Sequence, residues 1–415
     1  MGKVLDAAER LWTGQSALDK EPWLTFLGLE EIVGGVAFVA SFCNVIAFAT
    51  EQGAVIVDTG SPLTGRASAS AVREWLSARG HPTRIDTIVL THGHVDHVMG
   101  TAAFETDGRA RVIAHRAVPE RFDRYRLTRG YNARINARQF RLPGLEWPDA
   151  YRYPDVTYER ALALTVGGLR FELSHDRGET DDHTWVWVPE RRVLCTGDLF
   201  IWASPNCGNP QKAQRYPREW ALAMRKMAAL DAEYLFPGHG PPIVGRERVR
   251  RALGDTAELL ETIVEQTLAY MNEGAALDEV LQRVRVPEHL LARPYLRPVY
   301  DEPEFVIRNL WRLYGGWWDG DPAELKPAPK RALAEELVEL AGGAHRVIER
   351  ARELSEIGEH RLACHLAELA ARAAPDDSGV RRERAAIYRA RAEVETSLMA
   401  KSIYRSAAKE PPDRR

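Results

Sequence analysis

From Ile32 to Thr50 the chain carries no charged residue; it then breaks at Glu51-Gln52-Gly53 and resumes as Ala54-Val55-Ile56-Val57-Asp58. An apolar run of that length approaches the ~20 residues of a membrane span, but Gly34, Gly35, Ser41 and Asn44 interrupt it. A pair of buried strands joined by a tight turn accounts for both halves, because flanking turns settle what an apolar run alone leaves open. Further strands are expected within Val36–Ala49 and at Ala54–Asp58, Thr87–Thr91, Arg111–Ala114, Leu162–Val166, Leu169–Ser174, Thr184–Pro189 and Val193–Thr196. Helical spacing lies between Ala67 and Ala78, around Gly100 to Phe104, and from Pro217 to Leu230, where Pro217 suits a first turn. This alternation predicts an α/β domain over residues 20–245.

Residues Asp123 to Asp155, rich in Arg, Tyr and Pro, are expected to form a long loop with short helical pieces. Long loops inside compact domains are commonly functional, so substrate access is its expected role. After Gly245 the strand signal fades, and Glu247–Asn272 has helical spacing with charge on one face. A second, helical domain is expected over 246–328, ending at a break that contains Pro327 and Pro329. A third region, 329–405, reads as helices at Lys330–Ala341, Ala344–Ile357, Glu359–Ala373 and Gly379–Leu398, punctuated by Gly358 and Pro375. Tetratricopeptide-like pairing and a plain helical bundle both fit that spacing.

A chain of 415 residues exceeds what one hydrophobic core usually serves, which agrees with several domains. With 56 basic against 59 acidic residues it has no global attraction for nucleic acid or anionic lipid. Cys43, Cys195, Cys207 and Cys364 form no CxxC pair, which argues against a disulfide framework or a cysteine-rich zinc module and for a reducing compartment. Charged residues scattered through the first twenty positions leave no signal-peptide core, so a cytoplasmic protein outside the membrane is expected.

The apolar strand Ile85–Thr91 runs directly into His92-Gly93-His94-Val95-Asp96-His97. Three imidazoles and a carboxylate at one strand end can converge on one or two zinc ions or other divalent metals, because these accept both His nitrogen and carboxylate oxygen. His92 and His94 alternate and can face one ion, while Asp96 and His97, a turn later, reach a second. A surface cluster of histidines is the bland alternative, and the strand before and helix start after the motif argue against it.

This His-x-His-x-Asp-His pattern resembles that of the metallo-β-lactamase superfamily. Asp58-Thr59-Gly60, Thr196-Gly197-Asp198 and Pro237-Gly238-His239-Gly240 are similar to its other stations, and they occur in the same order. The resemblance implies an αββα sandwich with two bound zinc ions and an all-α region after it. Asp58 would brace the metal loop from behind, Asp198 would bridge the ions and His239 would supply the last imidazole. Where many members have Gly-His this chain has Gly178-Glu179, as alkylsulfatases of the superfamily do, and Asp198 follows nineteen positions later. One ion would then rest on His92, His94 and Glu179 and the other on Asp96, His97 and His239, with Asp96 and Asp198 closest to the chemistry. His175 and His183 are rival ligands, each four residues from Glu179, and are expected to support the site from behind it.

The stretch Pro294–Tyr300, Ile307-Arg308 and Tyr314–Pro322 is similar to the alkylsulfatase dimerisation domain and implies a homodimer through the helices. Two departures bear on substrate. Alkylsulfatases hold sulfate with an Asn and an Arg five residues later; here Asn206 persists but Gln211 stands at the Arg position, leaving Lys212 or Arg215 to supply a charge that a neutral amide cannot. Typical members also continue into a sterol-carrier-like domain, whereas this sequence stops at Arg415. The resemblance thus implies hydrolysis of a small ester, a sulfate ester first, by a hydroxide bridging the two metals. A carboxylic ester, lactone, thioester or phosphoester is the alternative, and a metal-stabilised partner-binding scaffold a third.

Overall fold

The computed structural model describes residues 2–15 and 28–409, so the expected domain start at residue 20 lies outside the described residues. The first sheet runs in chain order: β1 (Gly28–Val33), β2 (Val36–Ala40), β3 (Val45–Thr50), β4 (Gly53–Val57), β5 (Ile85–Val89), β6 (Arg111–His115) and β7 (Val156–Tyr158). It is antiparallel up to β4 and parallel from there on. The second sheet comprises β8 (Ala161–Val166), β9 (Leu169–His175), β10 (Thr184–Val188), β11 (Val193–Ile201), β12 (Tyr234–His239) and β13 (Ile243–Val244), antiparallel except for the β11–β12 pair.

Successive strand residues face opposite ways, and that rule sorts the apolar positions into two cores. Val36, Phe38, Ile46, Phe48, Val55 and Val57 face Phe171, Leu173, Val186 and Phe236 between the sheets. Their edge-to-face pairs Phe38–Phe236 and Phe48–Phe171 have centroids 5.3 and 5.2 Å apart. The intervening Ala37, Val39, Ala47, Ile56 and Ile88 pack outward on Val72, Trp75 and Leu76 of the helix Gly65–Ala78. On the other side the helices Pro217–Ala228 and Arg246–Asn272 pack together and reach β11 and β12. The expected αββα order, α/β overall and followed by helices, is what the chain adopts.

Two expectations need correction. The single apolar stretch Val36–Ala49 is two strands, because Ser41 and Asn44 turn the chain: the Ser41 amide and both Asn44 nitrogens are hydrogen bonded inside the fold. The expected loop Asp123–Asp155 is helical in its first half, with helices at Ala117–Leu127 and Arg129–Phe140, and irregular over 141–155. Val118, Phe122 and Tyr125 do recur at helical spacing and are buried, but the Arg residues between them hide the stripe in the sequence.

The chain divides into two compact units, one holding 1–130, 147–275 and 279–315 and the other 131–146, 276–278 and 316–415. The first unit therefore includes both sheets and the helix Pro303–Gly315. In the second, the helices Lys330–Leu340, Ala344–Glu356, His360–Ala373 and Ser378–Val394 enclose Val347, Ala351, Ala363, Ala367, Val380 and Ile387. The helix expected to run to Leu398 stops at Val394. A new one, Leu398–Ala407, starts on Ser397, whose hydroxyl caps the Ala400 amide. Among the described residues no helix is long and apolar enough to cross a membrane.

Candidate metal centre

The residues singled out in the sequence meet at the carboxyl ends of the parallel strands, where α/β sheets usually place their sites. β5 delivers His92 and β4 delivers Asp58; β11 contains Asp198, β12 ends on His239, and the β9–β10 connection brings Glu179. Ligating atoms of His92, His94, Glu179 and Asp198 form one group lying within 4.8 Å of one another, and those of Asp96, His97 and His239 form another. Asp198 lies between them: its Oδ2 is 3.8 Å from His92 Nε2 and 3.4 Å from His239 Nε2, and its Oδ1 is 3.2 Å from His97 Nε2. His239 Nε2 is also 3.4 Å from Asp96 Oδ2. Gly238 makes this approach possible, since a Cβ there would sit 2.1 Å from Asp198 Oδ1.

Behind the imidazoles runs a relay that sets their tautomers. Asp58 accepts the Thr91 amide on Oδ1, and on Oδ2 the Thr91 hydroxyl and His97 Nδ1, each at 2.7 Å. The Thr91 oxygen in turn lies 3.0 Å from His92 Nδ1. With Nδ1 engaged in both rings, His92 and His97 turn Nε2 to the centre, the edge a metal would take once the rings are neutral, and there His92 Nε2 lies 2.8 Å from His94 Nδ1. His239 is set likewise, donating Nδ1–H to the Phe42 carbonyl in the turn that splits β2 from β3.

The electrostatics call for positive charge at the centre. Burial and the neighbouring imidazoles hold His92 well below the ordinary histidine range, and burial with Arg215 does the same for His94, so both are neutral. Burial opposes charge on His97 and His239 too, yet the carboxylates outweigh it: Asp198 and Asp58 raise His97 well up, and Asp198 and Asp96 lift His239 to about 10. Burial, with Asp198 beside it, pushes Glu179 well above the usual carboxylate range. His97 Nε2, Glu179 Oε2 and Asp198 Oδ1 are buried and make no hydrogen bond among the described residues. Orphaned donor atoms facing one another among buried carboxylates are uncommon in folded proteins, and divalent cations between them would satisfy every one. The residues present fit two such ions.

The remaining candidates occupy distinct places. His183 stacks on His92 with centroids 4.7 Å apart and its Nε2 lies 3.1 Å from the Thr196 carbonyl, whereas His175 stacks on His115 at 3.7 Å, outside both ligand groups. Asn206, expected at the substrate, donates its amide to Glu179 Oε1. The Gln211 backbone amide is held by Asn209 Oδ1 at 3.1 Å. The Lys212 ammonium lies 5.8 Å from the centre of the Trp147 ring, and burial with Arg215 nearby lowers its pKa to about 7.

Cys43, Arg121 and Asp182 escaped the sequence reading as parts of the site, and so did the true place of Arg215. The Cys43 thiol lies beside Asp58 and His97, and burial keeps it protonated. Arg121, two residues ahead of the Arg-rich stretch expected as a loop, is buried: its Nε donates to Asp182 Oδ2 at 2.6 Å, and the same oxygen accepts the Gly93 amide at 3.0 Å. Arg215, considered only as a source of charge, lies with Nη1 3.3 Å from Glu179 Oε1.

The chain is similar to known proteins in sequence and fold. Residues 38–239 match the metallo-beta-lactamase superfamily and residues 276–413 match alkyl sulfatase dimerisation. A linear primary-alkylsulfatase of Pseudomonas sp. (strain ATCC 19151) is 28% identical over 81% of this chain and 68% of its own length. An (R)-specific secondary-alkylsulfatase of Pseudomonas sp. is 27% identical over 78% of this chain and 53% of its own. The structure of the stereoselective inverting sec-alkylsulfatase Pisa1 from Pseudomonas sp. superposes with a TM-score of 0.83 at 24% identity, covering 93% of this chain and 66% of that one. The chain thus spans between about half and two thirds of these relatives. It carries a metallo-β-lactamase superfamily domain followed by an alkyl sulfatase dimerisation domain.

Proposed function

We propose that the chain is a binuclear, zinc-dependent hydrolase of sulfate esters, similar in activity to the alkylsulfatases it resembles. One observation carries the proposal: two adjoining ligand groups that share Asp198, built in a chain whose relatives are named alkylsulfatases. His92, His94 and Glu179 would hold one ion, Asp96, His97 and His239 the other, and Asp198 both. Two such ions supply Lewis acidity and bring the deprotonation of water to near-neutral pH.

The chain's own residues do the rest. Asp58 keeps His97 in the ligating tautomer directly and His92 through Thr91. Lys212, near Asp96 and Glu179, supplies a cation for the anionic end of the ester at pH below about 7. Asn206 acts first on Glu179, whose oxygen it holds. A second copy of the chain would cover Leu333, Leu337 and Leu340, which lie on one face of the helix Lys330–Leu340 and are 46%, 42% and 83% exposed.

The neutral Gln211 favours a second reading, hydrolysis of an uncharged carboxylic ester, lactone or thioester at the same centre. The test is turnover of a panel of short alkyl sulfates, aryl sulfates, lactones and thioesters by the metal-loaded protein, with metal content measured alongside. Sulfate release, two metals per chain and loss of both activity and one metal in His94→Ala are expected. Turnover of lactones or thioesters with no sulfate release would overturn the sulfatase proposal, and full activity of a metal-free preparation would overturn the metal mechanism.

A further inference from the structure

We propose that Arg215, itself set in place by Asn309, is a positioning residue that turns a single oxygen of Glu179, Oε2, toward the metal ligands. The inference rests on Glu179 being a ligand and is independent of which ester is cleaved.

The two oxygens of this carboxylate have different surroundings. Oε1 accepts the Asn206 amide and lies 3.3 Å from Arg215 Nη1. Oε2 makes no hydrogen bond among the described residues and sits 4.0 Å from His94 Nδ1. Arg215 Nη1 also donates to the Glu179 backbone carbonyl, so one guanidinium grips both the main chain and the side chain of this residue. The Glu179 and Arg215 side chains are 2% and 4% exposed, so water cannot take over the task. A carboxylate free to swing could chelate through both oxygens or turn away. With Oε1 occupied, ligation through Oε2 alone remains.

Arg215 is held from the far side by the helix Pro303–Gly315. Asn309 Oδ1 accepts the Arg215 amide at 3.3 Å and the Gln214 side-chain amide at 2.8 Å, and Asn309 Nδ2 donates to the Arg215 carbonyl at 3.0 Å. The next residue, Tyr216, donates its amide to the Gly178 carbonyl at 3.0 Å. Residues 214–216 are therefore tied both to the segment bearing Glu179 and to a helix within the alkyl sulfatase dimerisation match. A purely structural ion pair needs no such indexing of one oxygen, and its loss would lower stability without singling out one metal.

The experiment is zinc titration of the metal-stripped full chain against a competing chelator, for wild type, Arg215→Gln, Arg215→Lys and Asn309→Ala, with thermal unfolding of each metal-free protein. Outer residues of metal sites typically change affinity by about 10- to 100-fold. Arg215→Gln is expected to weaken one of two zinc ions by that factor and leave the other within about threefold, with Arg215→Lys recovering part of the loss. Asn309→Ala, which removes hydrogen bonds but no charge, is expected to weaken the same ion by about 3- to 10-fold. Unchanged affinity for both ions in Arg215→Gln, or equal weakening of both, overturns the inference. Should Arg215→Gln not fold, Asn309→Ala decides alone, since a loss confined to one ion supports the proposal and wild-type affinities overturn it. A wild-type chain that binds no zinc would overturn this inference together with the metal site, whereas two ions bound normally in every variant would overturn this inference alone.

Discussion

Removing either half of the buried Arg121–Asp182 pair is expected to damage the metal loop, while removing both should cost little more than removing one. The Asp182 side chain is fully buried and that of Arg121 is 5% exposed; Nε and Oδ2 lie 2.6 Å apart, and Arg121 Nη2 reaches Asp181 as well. Asp182 Oδ2 also accepts the amide of Gly93, the residue between His92 and His94. The pair thus joins the turn bearing two expected ligands to the segment bearing Glu179. The packing leaves no slack, since a Cβ on Gly93 would lie 2.8 Å from Arg121 Cδ and 3.1 Å from Asp182 Oδ2.

Breaking a buried ion pair by deleting one partner costs about 3–5 kcal/mol, because an uncompensated charge stays behind. Asp182→Asn keeps an acceptor for Gly93 and belongs at the lower end; Arg121→Met strands the carboxylate and belongs higher. Independent losses would sum to about 6–8 kcal/mol, enough to consume much of the ~5–15 kcal/mol that stabilises an ordinary domain. Coupled losses leave no stranded charge in the double variant, which should then fall about 3 kcal/mol below wild type. Urea unfolding of the four metal-free proteins measures the cycle. In saturating zinc the singles should lose a further ~1.4–2.7 kcal/mol of metal-linked stability, the equivalent of a 10- to 100-fold weaker ion. Additivity within about 0.5 kcal/mol would refute the clamp.

Two further outcomes follow from other parts of the fold. Burial pushes Asp301 up from 3.8 to about 7, against the opposing Gly208 and Glu302 amides. Between those values the folded chain holds a proton that the unfolded chain has released, so this group makes stability fall as pH rises, by up to about 4 kcal/mol. The stability difference between wild type and Asp301→Asn should therefore change across pH 4–7, and a flat difference would refute the assignment. Separately, replacing Leu333, Leu337 and Leu340 together by Lys should convert a dimer into monomers in sedimentation equilibrium; an unchanged mass would place the interface elsewhere.

Much of the site was legible because its signals are local. A strand, a Gly and alternating ligands put His92, His94, Asp96 and His97 within six positions, and Asp-Thr-Gly announces the brace behind them. Strand faces were legible from the period of two. The turn Ser41–Asn44 was not, because its Phe42 and Cys43 look like strand residues and its polar atoms are satisfied by Pro237 and Gly240, almost two hundred positions away. Arg121 and Arg215 were visible as charges, but their partners stand 61 and 36 residues off, and composition cannot pair them. What the sequence cannot encode locally is which arginine is spent inside the fold and which one faces a substrate.

That distinction bears on the sulfate question. The sequence suggested that Gln211 removes the anion clamp, because a neutral amide stands where a forked cation would serve. In the fold, Asn206 and Arg215 are both committed to Glu179, so neither is a ready replacement. On the proposed ligand set, however, two divalent ions bring four positive charges that balance the three carboxylates Asp96, Glu179 and Asp198 and the bridging hydroxide. Arg215, within 3.3 Å of Glu179, then leaves one positive charge in surplus, in a buried setting where charges are poorly screened. A sulfate monoester carries one negative charge. The centre can therefore neutralise it without an arginine at position 211, and the missing clamp bears on how the anion is oriented more than on whether it binds. Introducing the fork by Gln211→Arg should then raise kcat for an alkyl sulfate without a matching fall in KM, and a gain confined to KM would show that charge, not orientation, is what the clamp supplies.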